Sequence, residues 1–84
     1  MENSLALGTV TLSLANGVAE VRLNRPDKLN ALSPELFADI AAAGEWLAGQ
    51  KSVRAVVLAG EGRAFCAGLD LAEHQAAQLI GFPR

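Results

Sequence analysis

Residues 60–71, Gly-Glu-Gly-Arg-Ala-Phe-Cys-Ala-Gly-Leu-Asp-Leu, are the part of this 84-residue chain best suited to chemistry. Two small residues, Ala67 and Gly68, follow an apolar run and come just before a predicted helix. A turn of this kind can direct free backbone N–H groups at an oxygen that becomes negative, and the helix dipole adds to the attraction. A tight turn whose small residues only permit close packing is the alternative. The pattern leaves both interpretations open.

The same stretch does not fit the glycine-rich loops that bind nucleotides. A dinucleotide fingerprint requires a third glycine where Phe65 stands. A P-loop requires Gly-Lys followed by Ser or Thr, whereas Gly68 is followed by Leu69 and Asp70. We therefore expect neither of these phosphate-binding loops.

Two further candidates for chemistry have simpler structural interpretations. Cys66 could be a nucleophile, but its apolar context without a nearby cation favours a small buried residue. Asp70 and His74 lie four positions apart and could share a metal ion. Because a third ligand is missing, a helix cap and a surface histidine are favoured instead. We therefore predict no metal site.

The first predicted element among those that must position these residues is a β-hairpin. Residues 9–15 alternate polar and apolar strictly, Asn16-Gly17 is a strong type I′ turn signal, and residues 18–23 form the return strand. With a two-residue loop, the numbers of paired residues sum to thirty-three. This register places the apolar side chains of both strands on one face, so we predict it for the hairpin.

A helix, a strand and a final helix follow the hairpin. Ser33-Pro34-Glu35 predicts a helix over residues 34–48 that stops at Gly49. Within residues 54–59, an unbroken apolar run follows Arg54 and is typical of a strand covered on both faces, which gives a βαβ unit with a right-handed crossover. Asp70 is the predicted N-cap of the last helix, with Glu73 as its partner; that helix carries Ala72, Ala76, Leu79 and Ile80 and ends at residues 81–83.

Composition excludes several classes of protein. The net charge of −2 shows no basic face for nucleic acid, and no apolar run is long enough to span a membrane. The first residues lack a secretory signal, and one cysteine, Cys66, fits a reducing cytoplasm. The apolar strand at residues 55–59 lacks predicted cover, so we expect an incomplete layered α/β fold.

Two motifs together resemble the crotonase family, the enoyl-CoA hydratase/isomerase superfamily. They are Asn-Arg-Pro-Asp-Lys-Leu-Asn-Ala-Leu at residues 24–32 and Ala-Phe-Cys-Ala-Gly-Leu-Asp-Leu at residues 64–71. The resemblance implies an α/β fold, the N-terminal part of a crotonase-like ββα spiral with a β-hairpin, a βαβ crossover and a C-terminal helix. Residues 1–84 would then be an N-terminal fragment of a single crotonase-like domain.

The resemblance also implies where a substrate binds. In this family two backbone N–H groups hold an acyl-CoA thioester carbonyl and stabilise the enolate, and the first donor matches the N–H of Leu69. Arg25 and Lys28 would be the nearest cations for CoA phosphates, with solvated loop charges as the alternative. The substrate- and CoA-binding residues implied are Arg25, Lys28, Leu29, Ala31, Ala67, Gly68, Leu69 and Asp70.

The implied function is that of an acyl-CoA-processing enzyme, and an enoyl-CoA hydratase of fatty acid metabolism fits best. Isomerisation, another crotonase reaction, or a non-catalytic CoA-binding or oligomerising fragment are the alternatives. The second oxyanion donor and the two catalytic glutamates of the family have no match here, and Glu61 and Glu73 do not stand in their places. We therefore expect the 84 residues alone to be inactive. The resemblance implies no cofactor beyond the CoA of the substrate and, for a full-length protein, a homo-oligomer, a trimer or dimer of trimers. The cytoplasmic location is the expectation from the single cysteine.

Overall fold

A computed structural model describes the backbone of residues 4–79 and the side chains of residues 4–75. Its four strands form one sheet in the order β1-β2-β3-β4. One long helix packs on β2 and β3, and a shorter helix ends the described part. The elements are β1 (Ser4–Ala6), β2 (Val10–Ala15), β3 (Val18–Leu23), a short 3-10 helix (Pro26–Lys28), α1 (Pro34–Ala48), β4 (Ala55–Gly60) and α2 (Leu71–Leu79).

The predicted hairpin is confirmed in its register. Val10 pairs with Leu23, Leu12 with Val21, and Leu14 with Ala19 in antiparallel β2 and β3. The turn residues Asn16 and Gly17 have positive φ angles of 54° and 81°. A type I′ turn requires positive φ at both central positions, which is why the Asn-Gly pair specifies this connection.

The strand β1 is an element that the sequence analysis did not predict. It pairs antiparallel with β2, and Leu5 lies opposite Leu12. Three residues are too few to show a period-2 pattern, so no clear signal marks this strand. Leu5 and Leu7 pack against the core and extend it beyond the hairpin.

Helix α1 begins and ends where its sequence predicts. The Ser33 hydroxyl accepts a hydrogen bond from the N–H of Leu36 at 3.1 Å, and Pro34 occupies the first helical position. Gly49 follows the last helical residue with φ −85°, so the helix ends without the left-handed residue that a glycine stop often supplies. The buried core between α1 and the sheet consists of Val10, Leu12, Val21, Leu23, Leu36 and Ala43.

Strand β4 lies parallel to β3 at the edge of the sheet, which confirms the βαβ unit. Val56 and Leu58 pair with Ala19 and Val21, so they continue the core face of the sheet. Val57 lies on the opposite face, and all three β4 side chains are about half exposed, at 48–53%. The expected strand is present, but within residues 4–79 it lacks the cover that its apolar sequence predicts.

Helix α2 begins directly after its predicted cap. Oδ1 of Asp70 accepts a hydrogen bond from the N–H of Glu73 at 3.1 Å, which is the N-cap geometry. The side chains of Ala76 and Leu79, residue Ile80 and the predicted stop at residues 81–83 lie outside the described part. Between residues 4 and 79, no helix has both the length and the apolar character needed to cross a bilayer.

Candidate functional site

The candidate site lies where residues 24–32 meet residues 61–70, a contact that we call the loop seam. An isolated parallel bridge joins Leu32 to Leu69. The N–H of Leu32 donates to the Gly68 carbonyl at 2.7 Å, and the N–H of Asp70 donates to the Leu32 carbonyl at 2.9 Å. Both bonds therefore use the residues that flank Leu69, and the Leu69 N–H faces away from Leu32.

Among the backbone of residues 4–79 and the side chains of residues 4–75, no hydrogen-bond acceptor faces the Leu69 N–H. Residue 69 is also 52% exposed, so this end of the seam is open to solvent. Helix α2 begins two residues later, which places the partial positive charge of a helix N-terminus beside the same N–H. The arrangement can donate one hydrogen bond to an oxygen that gains negative charge.

Gly68 gives the backbone the shape that this turn requires. Its φ is +101°, and a Cβ built there would meet no atom within 4 Å. The glycine is therefore needed for its conformation rather than for close packing. Of the two interpretations of this turn, the one in which small residues only permit close packing does not account for Gly68, because the space around it is open.

The buried side chain of Asn30 connects the two segments of the loop seam by hydrogen bonds. Its Oδ1 accepts a hydrogen bond from the N–H of Arg25 at 2.7 Å. Its Nδ2 donates to the carbonyls of Glu61 and Ala64, both at 2.9 Å. Asn30 is 0% exposed and has φ 57°, a left-handed angle that asparagine adopts more readily than most residues.

Asn30 belongs to the motif at residues 24–32, but its sequence context predicts no role for it. A polar residue type that tolerates left-handed backbone was the available signal, but its partners lie 31 and 34 positions away. Gly60, the last residue of β4, borders the seam closely: a Cβ there would lie 2.5 Å from the Phe65 carbonyl oxygen and 2.8 Å from Nδ2 of Asn30. Substitution of that glycine would therefore displace the Asn30 side chain and the loop that it holds.

Arg25 and Asp70 form an ion pair across the seam. A guanidinium nitrogen of Arg25 lies 3.2 Å from Oδ2 of Asp70, and each side chain is 14% exposed. The guanidinium also donates to the carbonyl of Ala31. The hydrogen bond from the Glu73 N–H, more than the nearby Arg25 and Lys28 charges, lowers the pKa of Asp70 below its ordinary value, against the effect of burial.

The structure brings most of the predicted binding residues together. The N–H of Ala67 donates to the Leu29 carbonyl at 3.0 Å, which adds a further bond across the seam. Ala31, Gly68, Leu69 and the Arg25–Asp70 pair join the same contact. Lys28 lies at the end of the 3-10 helix with an exposed side chain that forms no ion pair within residues 4–79.

The side chains of His74 and Cys66 make contacts within the fold. Nε2 of His74 donates to the Leu32 carbonyl at 2.9 Å, and its ring meets the Phe37 ring edge-on at 5.6 Å. Asp70 is engaged by other partners, and residues 4–79 contain no group of three ligating side chains that could hold a metal. Cys66 is partly buried against the core.

The hairpin, the βαβ unit and the exposed backbone donor beside a helix N-terminus agree with the features that the resemblance to the crotonase family implies. Residues 13–81 match the family model described as enoyl-CoA hydratase/isomerase. The chain belongs to this family, within the crotonase superfamily. The predicted family and fold class are therefore confirmed.

Individual relatives agree with the family match. A Mycobacterium tuberculosis protein named probable enoyl-CoA hydratase EchA14 is 45% identical over 62 residues, which are 74% of this chain and 24% of the relative. The mevalonyl-coenzyme A hydratase of Beauveria bassiana is 44% identical over 68 residues, 76% of this chain and 24% of the relative. The chain thus spans about a quarter of the length of these curated relatives.

A solved structure shows the same architecture. The enoyl-CoA hydratase EchA8_6 of Mycobacterium marinum superposes with a TM-score of 0.77 at 41% identity. The superposition covers 90% of this chain and 35% of the solved chain. The strands and helices described above therefore correspond to a segment of a crotonase fold.

Proposed function

We propose that this chain supplies the first oxyanion-hole donor, the Leu69 N–H, of an enzyme that processes acyl-CoA thioesters. The observation that carries the proposal is the bridge between Leu32 and Leu69, in which this N–H points away from Leu32 and meets no acceptor in the described part of the chain. A donor of this kind contributes about 2.7–4 kcal/mol of transition-state stabilisation. Since the backbone donates, a leucine is acceptable at position 69, and its half-exposed side chain is free to shape the acyl pocket.

The reaction that we propose is hydration of a 2-enoyl-CoA. The relatives named above carry hydratase names, which supports this choice over isomerisation or another crotonase reaction. We propose that the CoA moiety lies along Lys28, Leu29 and Ala31 and against Ala67, and that no cofactor beyond this CoA is needed. Lys28 suits a phosphate contact, because its exposed charge is not neutralised by an ion pair in the described part of the chain.

We also propose that these 84 residues alone do not catalyse hydration. One oxyanion donor without an acid/base pair cannot both activate water and protonate the α-carbon. Glu61 forms an ion pair with Arg22 at 3.4 Å, which supports the expectation that Glu61 is not a catalytic acid or base. The working enzyme would be a cytoplasmic homo-oligomer, a trimer or a dimer of trimers.

The donor can be tested by titrating the 15N-labelled chain with two matched ligands. Butyryl-CoA carries the thioester carbonyl, whereas its S-butyl thioether analogue lacks that oxygen. We expect the Leu69 amide proton to move downfield with the thioester only, because a new hydrogen bond to oxygen deshields it. Equal responses to both ligands, or no response at Leu69, would refute the assignment.

A second candidate function, an oligomerising fragment without catalysis, is favoured by β4. Val56, Val57 and Leu58 are about half exposed on an unpaired edge strand of the described sheet. Such an edge can pair with another strand. Light scattering after size exclusion tests this second candidate, because a folded monomer at all concentrations would argue against association through β4.

A further inference from the structure

The ion pair between Arg25 and Asp70 lies one residue outside the Leu32–Leu69 bridge. Ala31 precedes Leu32, and Asp70 follows Leu69. The Arg25 guanidinium contacts both the Ala31 carbonyl and Oδ2 of Asp70. One side chain thus joins the two backbone segments that form the bridge.

We propose that Arg25 is a positioning residue, which together with Asp70 holds residues 68–70 in the bridge so that the Leu69 N–H points outward. This role rests on the proposed function of Leu69 as an oxyanion donor. It differs from the phosphate-binding role that the resemblance gives to Arg25, because the guanidinium is engaged within the protein and only 14% exposed.

Arg25 is itself held in place by the loop that precedes the bridge. Its N–H donates to Oδ1 of Asn30, and its carbonyl accepts the N–H groups of Lys28 and Asn30 at 3.0 and 2.8 Å. A fixed backbone limits where the guanidinium can reach. The planar fork of arginine also suits two acceptors at once, which the ammonium of lysine matches poorly.

Asp70 offers a way to separate the ion pair from the helix cap. Oδ1 caps α2 through the Glu73 N–H, whereas Oδ2 faces Arg25. Asparagine is as good an N-cap as aspartate but carries no charge. The substitution Asp70→Asn therefore removes the ion pair and keeps the cap.

Amide hydrogen exchange of the 84-residue chain tests the proposal directly. In Arg25→Gln and Asp70→Asn we expect the N–H groups of Leu32 and Asp70 to exchange about tenfold faster or more, as expected for loss of a charge-assisted hydrogen bond. Amides of the β2–β3 hairpin should keep their protection, and Arg25→Lys should recover part of the loss. Arg22→Gln is the matched control, because Arg22 pairs with Glu20 and Glu61 away from the bridge.

Unchanged protection of Leu32 and Asp70 in both variants would overturn the proposal. If Arg25→Gln also loses protection in the hairpin, it has unfolded, and Asp70→Asn decides. Normal protection in Arg25→Gln with weaker binding of CoA itself would overturn the positioning role in favour of a phosphate contact.

The thioester titration distinguishes the two proposals from each other. A Leu69 response in the unmodified chain that is lost in Arg25→Gln but kept in Arg22→Gln supports both. Faster bridge exchange in Arg25→Gln, without any Leu69 response in the unmodified chain, shows that Arg25 holds the bridge but refutes the oxyanion assignment, and with it a positioning role in catalysis.

Discussion

Replacement of Asn30 by alanine should be among the most damaging single changes in the loop seam. The substitution removes three side-chain hydrogen bonds at 2.7, 2.9 and 2.9 Å from a residue that is 0% exposed. At about 1 kcal/mol for each bond, the free energy of unfolding should fall by about 3 kcal/mol. The loss rises toward about 5 kcal/mol if the freed carbonyls of Glu61 and Ala64 stay buried.

Urea denaturation followed by far-UV circular dichroism measures this loss. Asn30→Gly removes the same bonds but relieves the left-handed backbone at φ 57°, so it should be more stable than Asn30→Ala by about 1 kcal/mol. Asn24→Ala is the control, because Asn24 is an exposed asparagine of the same loop and should change stability by less than about 0.5 kcal/mol. An Asn30→Gly chain as stable as the original would show that the three bonds contribute nothing net.

Three further predictions address the cap, the turn and the edge strand. The pKa of Asp70 is lower in the folded chain than its ordinary value of 3.8, so the ionised carboxylate stabilises the fold above about pH 3.8. This stabilisation should disappear as the pH falls through the folded-state pKa. The urea midpoints of the original chain and Asp70→Asn should therefore converge in acid. Gly68→Ala should destabilise the chain by about 1–2 kcal/mol, whereas Gly44→Ala in α1 should stabilise it by about 0.5–1 kcal/mol. Both sites have open space for a Cβ, so the two differ in backbone angle and not in crowding. If thermal melts show that both substitutions change the stability in the same direction, the role of the +101° angle is contradicted. Val57→Lys should reduce concentration-dependent self-association in light scattering, and an unchanged mass would exclude β4 as the contact.

Local signals predicted those elements whose geometry depends on neighbouring residues. The Asn-Gly turn fixes the hairpin register, because positive φ at both positions brings Leu12 opposite Val21. The Ser33 cap fixes the start of α1 in the same way, through a hydrogen bond between residues only three positions apart. In both cases the physical cause lies within a few positions of the residue that carries the signal.

The loop seam could not be predicted in that way. Asn30 reaches carbonyls more than 30 positions away, and Arg25 meets Asp70 across 45 positions. No periodicity or cap pattern encodes such a contact, so the sequence placed Arg25 and Asp70 near a substrate only through the family resemblance. The structure adds what the resemblance lacks, namely the partners of these two side chains.

The position of the donor within the bridge explains why its neighbours are more constrained than the donor itself. Gly68 must adopt a φ of +101°, and Asp70 must both cap α2 and face Arg25. Leu69 contributes only its N–H, because the two bonds of the bridge use the carbonyl of residue 68 and the N–H of residue 70. In the proposed function, the side chain at position 69 would therefore be free to vary with the acyl group while the backbone donor stays fixed. The bridge would then separate the chemistry, which needs a fixed N–H, from specificity, which needs a changeable side chain.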